Sequence, residues 1–199
     1  KPKSDSVAPD REPSFLRGWI GGLRPDPGSS DPRKLGKWSS IVAVAYLLVV
    51  AAVGVYWSST PEHFDVRENA ARYAASTKQD VVTGTTSVAT LQETIRILLE
   101  KPGGYLHNDL FPPGGWLDNM PNWEYGVLVQ SRDLARALRE VLSRSQSQSK
   151  EDVDLTLAEP RINFQSKSWI LPASESEYRD ALRFLEAYRA RLAVSGQNS

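Results

Sequence analysis

The feature that most constrains this chain is a run of twenty residues without a charge, WSSIVAVAYLLVVAAVGVYW, from Trp38 to Trp57. As an α-helix that rises about 1.5 Å per residue, the run would be about 30 Å long, which matches the hydrocarbon core of a bilayer. Lipid offers no hydrogen-bond partners, so a backbone that crosses it must satisfy its own polar groups, as a helix does. The run therefore predicts a transmembrane helix over residues 38–58.

The two ends of the run carry the aromatic residues that favour a membrane surface. Trp38 at one end, and Tyr56 and Trp57 at the other, would lie in the two headgroup layers, where amphipathic rings are enriched. A buried helix of a soluble protein is the alternative, but the length and the missing charges argue against it. A cleaved signal peptide would need small residues where the bulky Tyr56 and Trp57 stand. We interpret the run as a signal anchor.

The charged residues on either side of the run predict its orientation. Arg33, Lys34 and Lys37 come just before it, whereas Glu62 and Asp65 follow it. Basic residues flanking a span remain on the cytoplasmic side. We therefore expect the N-terminus inside the cell and the C-terminal part outside it, with these three basic residues at the inner membrane surface.

The net charge of zero is a cancellation of two opposite values. The chain has 24 basic and 24 acidic side chains; eight basic and five acidic ones precede Trp38, so 16 basic and 19 acidic ones follow Trp57. A chain without excess positive charge is not expected to bind nucleic acid. The absence of cysteine excludes disulfides, thiolate catalysis and Cys-ligated metals.

The predicted cytoplasmic arm, residues 1–37, has six prolines and five glycines and cannot build a core of its own. Within it, residues 15–24 carry apolar side chains at helical spacing beside two arginines. This island either lies among the headgroups of the inner leaflet or belongs to a disordered tail.

The predicted extracytoplasmic domain, residues 59–199, favours helices throughout. We expect four, over residues 62–78, 86–101, 122–143 and 174–192, and no strand alternation of useful length is present. The expected inward-facing residues are Val88, Leu91, Ile95, Leu98 and Leu99 of the second helix, Val127, Leu128, Leu134, Leu138, Val141 and Leu142 of the third, and Tyr178, Leu182, Leu185 and Leu192 of the fourth. The fold class is therefore mainly α.

Several local features accompany these helices. Ser87 or Thr86 is expected to cap the second helix, Asn122 the third, and Ser174 with Glu177 to form a capping box for the fourth. The arginines of the third helix are expected to form a solvated surface: Arg132, Arg136 and Arg139. Residues 143–154 read as a surface loop, and parts of 161–172 as extended or irregular.

The long segment Gly103–Trp123, GGYLHNDLFPPGGWLDNMPNW, combines aromatic residues with glycines and prolines. Its glycines and prolines argue against regular structure, while its large apolar side chains argue against disorder. We expect an ordered loop that fills the helical core or presents a binding surface. The residues expected to contact a partner are Phe111, Trp116, Leu117, Met120 and Trp123.

The same loop holds weak candidates for catalysis, namely His107, Asp109 and Asp118. An imidazole and two carboxylates are sufficient on paper for acid–base chemistry or a weak metal site. The same residue types are common in turns and packed loops, and this structural interpretation is favoured. No phosphate-binding loop, HExxH or GxSxG motif is present, so neither a metal nor a cofactor is expected.

Four runs of sequence resemble a known family. They are KPGGYLHND from Lys101, PPGGWLDNMPNWEYGVLVQ from Pro112, SRSQSQS from Ser143 and WILPASESEYR from Trp169. With them the chain, from about residue 38 to about 192, is similar to the uncharacterised bacterial family known as domain of unknown function 2333. The resemblance implies a single-pass inner-membrane protein of a Gram-negative bacterium, with a periplasmic domain and no assigned activity. It also implies a natural chain that continues past residue 199, and the longer arm is a departure from the family.

Together these observations lead us to expect a non-catalytic single-pass scaffold or accessory subunit. Its partners would be the lipid bilayer and the other inner-membrane proteins of a larger complex, contacted through the span and the periplasmic domain. An envelope ligand-binding domain or hydrolase that uses Gly103–Trp123 is the alternative. A third possibility is a lipid- or wall-facing sensor that signals through the arm.

Overall fold

The computed structural model describes residues 32–76, 80–144 and 151–196, with side chains for 36–76, 80–141 and 151–192. This described part is mainly helical and contains no strand, as the sequence predicted. The predicted island at residues 15–24 and most of the serine-rich run after residue 144 lie outside it. The helices are α1 Pro32–Trp57, α2 Val66–Ser76, α3 Thr85–Glu100, α4 Asn119–Arg144, α5 Val153–Ile162 and α6 Ser174–Gly196, with one 3₁₀ turn at Gly114–Trp116.

Helix α1 contains the predicted apolar run. The 22 residues Gly36–Trp57 form a helix that is long and apolar enough to cross a membrane, and few of them are buried. The helix begins six residues before Trp38, at Pro32, because the fixed φ of proline suits the first position of a helix. The chain divides into two units, residues 1–46 and 47–199, and the contacts described below all lie within the second.

Helices α3 to α6 form a four-helix arrangement in which each helix contacts two others. Helix α3 contacts α4 and α6, helix α5 contacts the same two, and α2 lies against α3. The predicted inward face of α3 is confirmed, because Val88, Leu91, Ile95, Leu98 and Leu99 are all buried in one core. That core also contains residues of the other three helices, including Leu128, Leu138, Ile162, Tyr178 and Leu185.

Two predicted helix starts were wrong, and for α2 a side-chain cap gives the reason. Helix α2 begins at Val66 because the Asp65 carboxylate accepts the backbone N–H groups of Arg67 at 2.9 Å and Glu68 at 2.8 Å. Helix α4 begins at Asn119, three residues before the predicted cap at Asn122.

The other two predicted caps were wrong as well. Helix α3 starts after Gly84, whose φ of 92° is a left-handed conformation suited to glycine, and no side chain caps it. At α6, the Ser174 hydroxyl donates instead to the carbonyl oxygens of Gln165 at 2.6 Å and Ser168 at 2.8 Å. The backbone N–H of Glu177 donates to the carbonyl oxygen of Ala173 and its carboxylate accepts from Arg161 at 2.8 Å, so no capping box forms.

Helix α5 was not predicted from the sequence. It begins after Asp152, whose carboxylate accepts the backbone N–H groups of Asp154 and Leu155. An Asp before an apolar residue was the signal for this start, but ten residues with a proline at position 160 carry only a weak helical pattern.

Three predictions of side-chain burial need comment. Arg132 is half-buried rather than solvated, because its guanidinium donates to the carbonyl oxygens of Ile162 at 3.0 Å and Phe164 at 2.6 Å. Val141, expected inside, is 63% exposed near the end of α4. The side chain of Leu142 lies outside the described residues.

Candidate functional site

The connection between α3 and α4 has two parts with opposite surroundings. We call residues 101–108 the inner segment and residues 109–118 the outer segment. The inner segment has four buried residues: Lys101, Tyr105, Leu106 and Asn108. The outer segment has one, Gly114.

A buried ion pair fixes the inner segment to α4. The Lys101 ammonium contacts the Glu124 carboxylate, and both side chains are 0% exposed. Lys101 also donates to the carbonyl oxygen of Gly104 at 2.5 Å, which closes the turn after α3. Sequence reasoning missed this pair, because a lysine at the end of one helix and a glutamate near the predicted start of the next have common solvent-exposed roles.

Glu124 binds the backbone of the inner segment in addition to Lys101. Its carboxylate accepts the N–H groups of Leu106 at 2.9 Å and His107 at 2.6 Å. Burial raises the pKa of Glu124, while the Lys101 ammonium and the two backbone amides oppose that rise. The Glu124 carboxylate therefore binds these backbone amides as an anion would, and the geometry of the inner segment depends on these hydrogen bonds.

His107 is held by a hydrogen bond at the edge of its ring and by stacking of the ring on a tyrosine. Its Nδ1 donates to the carbonyl oxygen of Pro121 at 3.0 Å, and the ring stacks on Tyr125 with centroids 5.3 Å apart. Its Nε2 is buried without a hydrogen-bond partner among the described residues. Burial lowers the pKa of His107, because a proton on Nε2 would add an unpaired charge there. This geometry suits a packing residue better than a general base.

The two other candidates for catalysis lie in different surroundings. Asp118 is exposed before α4 and accepts from the side-chain amide of Asn122 at 2.9 Å. The Asp109 carboxylate lies against Gly114, since a Cβ placed on that glycine would be 2.0 Å from Asp109 Oδ2. The described hydrogen bonds of His107, Asp109 and Asp118 do not join any two of them. No group of three or more possible metal-ligating residues occurs within the described ranges.

The loop contacts the last turns of α1 through two glycines. A Cβ placed on Gly54 would lie 3.6 Å from Pro113 Cβ and 3.7 Å from Leu117 Cδ2, so the outer segment packs against this face of α1. A Cβ on Gly103 would lie 2.7 Å from the Trp57 ring, which therefore covers the turn of the inner segment. The C-terminal end of α1 is thus in direct contact with both the inner and the outer segment.

The outer segment exposes large apolar side chains. Phe111 is 71% and Trp116 65% exposed, and Leu110 is exposed beside them. Phe111 meets the exposed Trp169, which follows α5, edge to face at 6.4 Å between centroids.

The five residues expected to contact a partner differ in their exposure. Phe111 and Trp116 are accessible, and Leu117 is half-buried beside Gly54. Met120 is buried, and Trp123 packs against the helical core, so these two contribute to the domain interior.

The residues expected at the membrane surfaces lie at the two ends of α1. Trp38, Lys37 and Tyr56 are exposed and Trp57 is half-buried, while Arg33 and Lys34 belong to the first turn, where side chains are not described.

Comparison with known proteins identifies a family. No curated protein and no solved structure matches the chain. Residues 32–199 match the model of a family described as an uncharacterized protein conserved in bacteria, DUF2333. The resemblance found in the sequence is thereby confirmed, and the chain belongs to this family.

Proposed function

We propose that this protein is a non-catalytic, single-pass inner-membrane scaffold that binds a transmembrane helix of another inner-membrane protein. Its N-terminus lies in the cytoplasm and its helical domain in the periplasm. The observation that carries this proposal is an apolar groove formed jointly by α1 and the outer segment.

The groove lies alongside the C-terminal half of the apolar helix. It has a volume of about 490 Å³ and is lined by Leu47, Val50, Ala51, Gly54, Val55, Ser58, Pro113, Trp116 and Leu117. None of these residues is charged. At about 1.5 Å per residue, Leu47 lies roughly 15 Å before Trp57 along the helix, so a spanning α1 places the groove in the hydrocarbon layer.

The chemistry of the groove favours a helix as its occupant. Ala51 and Gly54 are small, and small residues let the backbones of two membrane helices approach closely. The exposed Trp116 stands at the edge of the groove and offers a large apolar contact. A partner helix that crosses the same bilayer is already surrounded by lipid, so it does not have to lose bound water before it contacts the groove.

The flanking charges support the proposed orientation. Arg33, Lys34 and Lys37 lie before the apolar part of α1, and Glu62 and Asp65 come after its end. The short distance from Trp57 to the helical domain keeps that domain at the membrane surface, where the loop contacts α1.

Photo-cross-linking in native membranes tests the proposal. A photoreactive phenylalanine analogue at Ala51 or Trp116 of the full-length chain is expected to capture the same protein, with the cross-link in an apolar membrane-spanning segment of that protein. The matched control position is Leu48, which is exposed on α1 and does not line the groove.

A pair of substitutions at Gly54 distinguishes a specific site from chance contact. Gly54→Ala fits within ordinary contact distance of Pro113 and Leu117 and should leave the cross-link unchanged. Gly54→Leu should separate the outer segment from α1 and abolish it. Capture of lipid alone, equal capture from Leu48, or an undiminished cross-link in Gly54→Leu would each refute the proposal.

A further inference from the structure

A second cavity, separate from the groove, lies where α1 ends. It has a volume of about 300 Å³. Its walls combine three aromatic rings with three polar side chains: Trp57, Phe111, Trp169, Asn108, Asp109 and Glu175.

The two carboxylates give this cavity unbalanced negative charge. Asp109 accepts no hydrogen bond from any residue in the described ranges. Glu175 accepts there only from the Asn108 amide nitrogen, at 3.0 Å. Burial and the negative charge of Glu175 raise the pKa of Asp109, and Lys101, which opposes that rise, is already paired with Glu124. The cavity therefore favours a cation.

Asn108 adds an unpaired acceptor. The residue is 4% exposed, and its amide nitrogen donates both to Ser168 O at 2.9 Å and to Glu175. Because both contacts are with acceptors, the amide orientation is fixed. Its Oδ1 then has no hydrogen-bond partner among the described residues. A buried acceptor without a donor is costly, and Asn108 lines the cavity, so an N–H donor bound there would relieve this cost.

The aromatic rings favour an organic cation over a metal ion. Trp57, Phe111 and Trp169 provide no ligands for a metal ion, but the faces of such rings attract an organic ammonium and pack against its methylene groups. Trp57 is also the last residue of the apolar helix, so an α1 that spans a membrane brings the cavity to the level of the lipid headgroups.

We infer that this cavity binds a primary ammonium group, of the kind carried by an ethanolamine phospholipid headgroup or by a soluble amine. The three N–H donors of the ammonium match the acceptors that Asn108, Asp109 and Glu175 present. This inference does not rest on the proposed scaffold function, since the groove and this cavity are lined by different residues.

Lipid titration of the full-length chain in a mild non-ionic detergent tests the inference. Dihexanoyl phosphatidylethanolamine should bind at least tenfold more tightly than dihexanoyl phosphatidylcholine, whose ammonium has no N–H, and than dihexanoyl phosphatidylglycerol, as measured by native mass spectrometry. Free ethanolamine, titrated calorimetrically, distinguishes the sources. Weaker binding of ethanolamine identifies the lipid, and equal binding identifies a soluble amine.

Variants connect the binding to the cavity. Asp109→Asn and Glu175→Gln should each weaken binding of the ethanolamine lipid at least tenfold, while the melting temperature shows that the domain remains folded. Asp118→Asn, an exposed carboxylate of the same loop outside the cavity, is the matched control and should bind like the wild type. Equal binding of the three lipids, or unchanged binding by folded Asp109→Asn, would overturn the inference.

Discussion

The inner and outer segments have similar compositions but differ in burial. Each contains a Gly-Gly pair and aromatic residues, and they are adjacent in the chain. The inner segment packs Tyr105 and Leu106 into the domain, whereas the outer segment exposes Phe111 and Trp116. We attribute this difference in burial to Glu124, which binds two backbone amides of the inner segment. Apolar composition alone therefore does not decide which part of a loop enters the core.

The same comparison separates two kinds of stabilising contact. The inner segment is held by a desolvated charge pair whose hydrogen bonds require one geometry. The outer segment touches α1 through Pro113 and Leu117 at ordinary contact distances around Gly54. Substitutions in the inner segment should thus change stability, and substitutions in the outer segment should change interactions.

The largest effect is expected from Lys101→Met, which leaves the Glu124 carboxylate buried without its cation. Breaking a buried ion pair at one partner costs about 3–5 kcal/mol of unfolding free energy. Lys101→Met/Glu124→Gln removes the unpaired charge and should recover part of that loss. Denaturant unfolding in detergent measures both; equal stability of the single and double variants would contradict the central role given to the pair.

The next effect concerns two neighbouring glycines of the inner segment. Gly103 and Gly104 have φ values of 85° and 69°, so alanine at either position costs roughly 1–2 kcal/mol. Only Gly103 lies under the Trp57 ring, and a Cβ on Gly104 would be 3.7 Å from its nearest neighbour. Gly103→Ala should therefore lose about 1–3 kcal/mol more than Gly104→Ala. Equal melting temperatures of the two variants would show that the Trp57 contact contributes nothing.

A smaller effect follows from the pH dependence of His107. Burial lowers its pKa in the folded state, so below about pH 6.5 the unfolded chain binds a proton that the folded protein does not. The stability that neutral His107 contributes is present above that pH and is lost as the pH falls toward the folded-state pKa.

The measurement compares wild type with His107→Gln at pH 7.5 and pH 5.5. The stability difference between the two proteins should shift against the wild type at the lower pH. Because Asp109 and Glu124 are present in both proteins, their opposite shifts cancel in this difference. A difference that does not change with pH would mean that His107 titrates as it does in the unfolded chain.

The smallest effect on stability is expected in the outer segment. Phe111→Ser and Trp116→Ser remove exposed side chains, and such substitutions change the unfolding free energy by less than about 0.5 kcal/mol. The buried Leu106→Ser, in the inner segment, is the matched contrast and should destabilise strongly. If Phe111→Ser destabilised the domain as much, the distinction between the segments would fail.

The sequence predicted the helical class and the main core faces well. The stripe from Val88 to Leu99 repeats at helical spacing, and repetition over several turns is a strong signal. Helix α5 and the role of Glu124 were missed, because a ten-residue helix repeats too few times and a single glutamate carries no pattern. Within the candidate site, the aromatic loop was identified, but the division between buried and exposed residues was not.

The apolar helix could be predicted without the fold, because twenty uncharged residues form a pattern that depends on no distant partner. Local periodicity also predicts most of the other helices, though not the short helix α5. The burial of Lys101 with Glu124, and the cavity that Asn108, Asp109 and Glu175 share with Trp57, are evident only in the folded chain. The free energy of a charge or an unpaired acceptor depends on its surroundings, and here those surroundings come from residues up to 67 positions apart in the chain.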